Sequence, residues 1–385
     1  MQKRGISEKE IKKELLKYYS ENYKYRDGTI LSSMSSEPES IAVWANSRFI
    51  ESNLGNPYLF PGTKKVEEKV IKGIGELLHN KNAYGRVLSG GTESNITALW
   101  AAKKLKKEKN TVIVSKAAHF SVVKAADLLN LNLEIVPLTD NYVIDYSIVK
   151  ETNPDDVMAI IGIAGTTEYG TVDPIDKLAD FARKYNIFLH VDAAFGGFII
   201  PFLKMLGYKL PNFDFEIEGV NSISIDPHKM GLSTIGAGAL LFKDNYFDLI
   251  SFSSEYLTSK ISTTLLGTRS SGNVAAAYAV MRKMGMEGYK RMVKNCYQNT
   301  LYMYDMLQEK NIDVLLKPVM NIINIKTESS EKIANRLKPK WMVGYNKYDN
   351  LLRIVVMPHI TKPIINDFLR DLEREMRRVG WKNTT

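Results

Sequence analysis

The chain has 385 residues, 44% hydrophobic and 25% charged, an ordinary globular composition that can build a large core without a metal or disulfide. Its single cysteine, Cys296, excludes an intramolecular disulfide and fits a reducing cytoplasm. The net charge of +9 comes from lysines spread along amphipathic segments such as 64–72 and 103–109, which read as solvated helix faces and not as a nucleic-acid surface.

The apolar runs 157–164 and 195–203 fall short of the ~20 residues a membrane helix needs. Residues 1–13 lack the apolar centre of a signal peptide. A cytoplasmic protein without membrane or nucleic-acid partners is expected.

Residues 6–20 read as a first helix, with Ile6, Ile11, Leu15 and Leu16 on one face and Ser7 with Glu10 as a capping box. An irregular stretch over 25–39 leads to a helix over 41–53. The glycines and prolines of 55–62 then predict a loop of the kind that lines a site.

From residue 64 the pattern becomes alternation. A helix over 64–79 precedes strands near 86–88, 111–114, 133–137, 158–163, 188–191, 222–225 and 238–242, with helices between most of them, including 174–185. That order predicts an α/β fold with a large, mostly parallel sheet covered on both faces, whose sites lie beyond the carboxyl ends of the strands. After Gly267 the chain reads as helical through Leu307 and then as strand–helix–strand–strand–helix, with strands near 320–325, 341–345 and 351–356. The expected division is an N-terminal helical and loop segment (1–60), a large α/β domain (61–285) and a small C-terminal α/β domain (286–385).

Four pieces carry chemistry. In Ser89-Gly90-Gly91-Thr92, two glycines turn a strand into a helix, leaving backbone N–H groups for an anion. His119 follows a strand, where its flat ring could stack on an aromatic ligand. Asp192 ends an apolar strand, and a buried carboxylate needs a cation or several donors. In Asp226-Pro227-His228-Lys229 a lysine stands just after a strand, where burial favours a neutral, nucleophilic amine. Singly, each also reads as an ordinary turn, core histidine, helix cap or surface lysine. Together they describe a pyridoxal 5'-phosphate site: an anion turn, a ring cover, an acid for the pyridinium nitrogen and a lysine for the aldehyde.

These motifs resemble the group II pyridoxal-phosphate decarboxylases, of the aspartate-aminotransferase-like fold (fold type I). The likeness runs over roughly residues 6–375. It rests on Ser89-Gly90-Gly91-Thr92-Glu93-Ser94-Asn95, Ala118-His119-Phe120-Ser121, His190-Val191-Asp192-Ala193-Ala194, Asp226-Pro227-His228-Lys229 and Leu352-Arg353-Ile354. Within the family, the chain is most similar to an archaeal branch that decarboxylates L-tyrosine or L-aspartate in methanofuran and coenzyme A synthesis.

The resemblance implies Lys229 as the cofactor lysine, His119 on its ring and Asp192 on its nitrogen. It implies Gly91 and Thr92 at the phosphate, with Thr167, Ala194 and His228 beside the cofactor. It also implies a homodimer with interfacial sites, in which the 266–269 segment, with Thr268, reaches into the partner's site.

Arg353, in an otherwise apolar strand, is the candidate for the substrate carboxylate. Tyr256 and His119 are alternative proton donors. The loops 32–38 and 53–63 offer Tyr58, Phe60 and Lys64 to a substrate pocket, a mixture that does not separate tyrosine from aspartate. Another pyridoxal-phosphate reaction, such as transamination or cysteine-sulfur processing, could use the same lysine, aspartate and histidine.

Overall fold

The computed structural model describes residues 1–255 and 259–381. At its start Ser7 and Glu10 form the reciprocal capping box of α1 (Glu8–Ser20), yet this helix buries none of its residues, and Leu15 and Leu16 face outward. The next helix, α2 (Ser40–Arg48), stops short of the predicted residue 53. The chain there turns to pair with a distant segment, Asn53 bridging to Ser270 and the Leu54 N–H donating to the Arg269 carbonyl at 3.0 Å. Helix α3 (Pro61–Leu77) begins before the predicted Lys64, because a proline at the first helical position brings a preset φ and no orphaned N–H.

The alternating region follows as β1 (Tyr84–Leu88), α4 (Gly91–Leu105), β2 (Thr111–Ser115), α5 (Phe120–Leu129), β3 (Asn132–Val136), α6 (Tyr146–Val149), β4 (Val157–Ile163), α7 (Ile175–Lys184), β5 (Phe188–Asp192), α8 (Ile200–Met205), β6 (Val220–Ile225) and β7 (Gly238–Phe242). They build a seven-stranded sheet in the order β1-β7-β6-β5-β4-β2-β3. The strands from β3 to β6 run parallel, while β7 is antiparallel to both its neighbours. β1 therefore points the same way as β6, and all carboxyl ends except that of β7 share one edge.

Strand β4 is buried at every position, as expected of a strand covered by helices on both faces. Its period of two splits Ile160 into one core cluster and Ile161 into the other.

A short hairpin, β8 (Phe252–Ser253) with β9 (Ile261–Ser262), precedes α9 (Ser271–Glu309), which breaks at Gly285 (φ 54°, ψ −174°). The remainder is β10 (Ile322–Lys326), α10 (Ser330–Leu337), β11 (Gly344–Asn346), β12 (Leu351–Val355) and α11 (Lys362–Arg378). Its antiparallel sheet, β10-β12-β11, and the inner faces of α10 and α11 form a third core. The N-terminal segment joins that core through fully buried Leu31, which donates to the Met342 carbonyl at 2.8 Å and accepts from the Val355 N–H at 2.7 Å.

No helix among the described residues is long and apolar enough to cross a membrane.

Candidate active site

The shared edge of the large sheet carries a cavity of about 350 Å³. Gly90, Gly91 and Thr92 enter it after β1, His119 after β2, Thr167 after β4, Asp192 and Ala194 at the end of β5, and His228 and Lys229 after β6. The topology thus brings nine of the predicted residues to one cavity.

At one end lies the amino terminus of α4. Gly90 caps this helix without a side chain, so its first N–H groups have no side-chain acceptor. The turn is tightly enclosed. A Cβ on Gly238 would stand 2.4 Å from Gly90 Cα, and one on Gly91 would stand 3.1 Å from Asp226 Oδ2 and 3.2 Å from Ala194 Cβ.

Lys229 sits on a clamped turn. The Lys229 N–H donates to Asp226 O at 3.0 Å, Leu232 N–H to Lys229 O at 3.1 Å, and the Tyr289 hydroxyl to Gly231 O at 3.0 Å. Leu232 takes φ 57°, a left-handed conformation that costs a branched apolar residue about 1–2 kcal/mol. The N–H of Glu39 holds the Leu232 carbonyl there at 3.1 Å. The ammonium of Lys229 lies 3.4 Å from Asp226 Oδ2, while Asp226 Oδ1 is buried without a partner among the described residues.

Asp192 faces the same cavity. It accepts from Asn95 Nδ2 at 2.8 Å and from the Ala194 N–H at 3.1 Å. Burial pushes this carboxyl up, but the charge of Lys229, the Asn95 hydrogen bond, His190 and the Ala194 N–H outweigh burial and hold it below its ordinary value. It is therefore an anion at neutral pH.

His119 caps α5, its Nδ1 accepting from the Ser121 N–H at 3.3 Å, so the proton sits on Nε2. Burial lowers its pKa and keeps the ring neutral, against the pull of Asp192.

Arg353, on β12, is brought to the rim and not into the cavity. Its guanidinium donates to the carbonyls of Thr167 at 2.7 Å and Ser32 at 2.9 Å, and it joins no ion pair among the described residues.

Other predicted residues lie elsewhere. Thr268 is exposed and away from this cavity. The side chain of Arg269, next to it, turns inward to a buried ion pair with Glu67. Tyr58 and Lys64 line a separate cleft of about 660 Å³ with Gly267, so the 53–63 loop does not wall the Lys229 cavity within one chain. Tyr256 lies outside the described residues. Cys296 is fully buried and its thiol is pushed up to about 12, which removes it as a sulfur-processing nucleophile.

The sequence reading overlooked Asn95 and Asp226 as functional groups, although both stand inside the motifs it used. Asn95 is three residues into α4 from Thr92, but nothing local marks it as the partner of a carboxylate on another strand.

These residues fit pyridoxal phosphate. There are free helix N–H groups for a phosphate, a neutral imidazole for a ring face, an anion for the ring nitrogen and an amine for the aldehyde.

Residues 56–326 match the family model described as the pyridoxal-dependent decarboxylase conserved domain. The chain is 44% identical to the L-tyrosine/L-aspartate decarboxylase of Methanocaldococcus jannaschii, over 97% of this chain and 98% of that one. It is 39% identical to the probable L-aspartate decarboxylase of Archaeoglobus fulgidus, over 96% of this chain and 100% of that one. Among solved structures, a sphingosine-1-phosphate lyase from Burkholderia pseudomallei matches with a TM-score of 0.90 at 25% identity, covering 98% of this chain and 92% of that one.

Proposed function

The chain belongs to the pyridoxal-dependent decarboxylase family, and from that premise we propose that it decarboxylates L-tyrosine to tyramine, L-aspartate to β-alanine, or both. The observation that carries this reading is an anionic Asp192 in one cavity with the amine of Lys229 and the neutral ring of His119. Pyridoxal phosphate, when bound, supplies an electron sink for the bond to the departing carboxylate.

The chain's own residues do the rest. Lys229 is the amine that holds the cofactor aldehyde. Asp192, as a fixed negative charge, keeps a proton on the ring nitrogen. His119 covers one ring face, and the N–H groups of Gly91 and Thr92 take the phosphate, with Thr167, Ala194 and His228 around the ring.

Arg353 is the substrate-binding residue. Two of its N–H groups anchor it to backbone, and its other donors are open to a carboxylate. His119 or Tyr256 returns the proton to the carbon.

The working unit is a homodimer with active sites at the interface. Support comes from Thr268, exposed beside the 660 Å³ cleft and suited to serve the partner's phosphate. The division into 1–60, 61–285 and 286–385 is part of the same proposal, supported by the break of α9 at Gly285. A cytoplasmic, archaeal enzyme is inferred, whose amine products suit methanofuran and coenzyme A synthesis.

The test is carbon dioxide and amine formation from L-tyrosine, L-aspartate, L-glutamate and L-cysteine with added pyridoxal phosphate. Tyramine or β-alanine is expected, and neither with Lys229→Ala. A spectral change on adding substrate without carbon dioxide release would overturn the reaction.

A further inference from the structure

We propose that Asn95 is a positioning residue that orients and charges Asp192 from behind, with His190 fixing the direction of its amide. The inference rests on reading Asp192 as the partner of the cofactor's ring nitrogen.

The geometry begins with strand register. His190 and Asp192 are two residues apart on β5 and so share a face, and their neighbours on β6 are Ser222 and Ser224. Helix α4 lays Asn95 over that face. Asn95, His190, Ser222 and Ser224 are each at most 1% exposed, so water cannot rescue a misplaced polar atom.

A carboxylate only accepts. The group Asn95 turns to Asp192 Oδ2, at 2.8 Å, is therefore its Nδ2, whose second hydrogen goes to Ser121 Oγ at 2.9 Å. The amide oxygen is left facing His190 Nε2 at 2.9 Å and the Ser224 hydroxyl at 3.0 Å. An oxygen cannot donate, so Nε2 carries the imidazole hydrogen. Nδ1 is then bare and accepts from the Ser222 hydroxyl at 2.8 Å. From Ser222 through His190 and Asn95, every hydrogen bond points toward Asp192.

The consequence is electrostatic. The reversed tautomer of His190 would leave the Asn95 oxygen without its imidazole donor and remove what fixes the amide direction. A reversed amide would set oxygen against oxygen at the carboxylate. With the chain in place, Asp192 Oδ1 takes the Ala194 N–H at 3.1 Å and, at 3.3 Å, competes with the Asn95 oxygen for the one hydrogen of the Ser224 hydroxyl, and its remaining lone pairs face the cavity. Burial keeps the imidazole of His190 neutral down to about 4, so the relay does not reverse at working pH.

The test compares two cofactors on apoenzyme. Pyridoxal phosphate and its 1-deaza analogue, which carries C–H in place of the ring nitrogen, are titrated by quenching of protein fluorescence. Wild type is expected to prefer pyridoxal phosphate. Asn95→Leu, close in shape but without donors, should shrink that preference by about tenfold or more, the order expected for a hydrogen bond to a charged group. His190→Gln, which keeps an N–H for the Asn95 oxygen, should retain most of it, and His190→Phe should lose it.

If Asn95→Leu fails to fold, Ser222→Ala at the far end of the chain replaces it, with an expected loss of roughly threefold. Unchanged preference in the folded variants overturns the positioning role while leaving Asp192's role standing. A wild type indifferent to the two cofactors overturns both.

Discussion

The edge strand β1 offers a direct test of what Arg269 does. Among the described residues only β7 pairs with β1, so the outer N–H and C=O of Val87 meet no strand there. Glu67 and Arg269 take that place. Glu67 Oε1 accepts the Val87 N–H at 2.8 Å, and Arg269 Nη1 donates to the Val87 carbonyl at 2.8 Å while gripping the Glu67 carboxylate. Both side chains are only 9% exposed.

Arg269→Met leaves a buried carboxylate with one backbone donor and an unpaired carbonyl, a loss of about 3–5 kcal/mol. Glu67→Leu with Arg269→Met removes both charges and leaves the Val87 groups unpaired, at about 1–3 kcal/mol each. The double variant should therefore be clearly less destabilised than the sum of the singles, with a coupling of about 2 kcal/mol or more. Urea unfolding by circular dichroism on apoprotein at one fixed concentration measures this cycle. A loss under about 1 kcal/mol for Arg269→Met, or strict additivity, refutes the reasoning. Weakened cofactor binding at unchanged stability would instead mean that Arg269 reaches a partner's site.

Three further outcomes are expected. Arg353→Met should raise KM for the amino acid by about 100-fold, and Arg353→Lys by less because an ammonium lacks the fork; an unchanged KM removes Arg353 from substrate binding. Tyr289→Phe keeps its ring between Phe198 at 5.3 Å and Phe202 at 5.4 Å but frees the Gly231 carbonyl. Loosening the Lys229 turn in this way should weaken cofactor affinity several-fold for about 1 kcal/mol of stability, and equal affinity would detach the turn from Tyr289. His190 stays neutral in the folded chain down to about 4, whereas an unfolded histidine takes its proton near 6.5. Its contribution is thus complete above pH 6.5 and is lost as pH falls toward 4, roughly 3 kcal/mol in all. Urea midpoints between pH 7 and 4.5 should fall less steeply in His190→Gln than in wild type, and parallel slopes would contradict this.

Much of the architecture was legible in local pattern. Seven-residue β4 is apolar throughout, and only a strand covered on both faces can be so. Placing the chemistry at strand ends followed from the alternation alone, since parallel strands joined by helices must expose all their carboxyl ends on one edge. The order of elements after α9 was readable from local pattern as well.

Boundaries set by distant partners were not. Helix α2 ends where Asn53 and Leu54 meet Arg269 and Ser270, and Leu31 completes a sheet whose strands lie some three hundred residues later. The pairing of Arg269 was equally hidden, since its partners Glu67 and Val87 are 202 and 182 positions away.

The residues that could carry the cofactor chemistry were determined by the sequence itself, because strand ends, glycine turns and a lysine after an apolar run are local signals. Which atoms stand behind Asp192 was decided only by tertiary structure. Asn95 is 97 positions from Asp192 in the chain, and their hydrogen bond exists because the β5–β6 register and the seat of α4 deliver both to one water-free face.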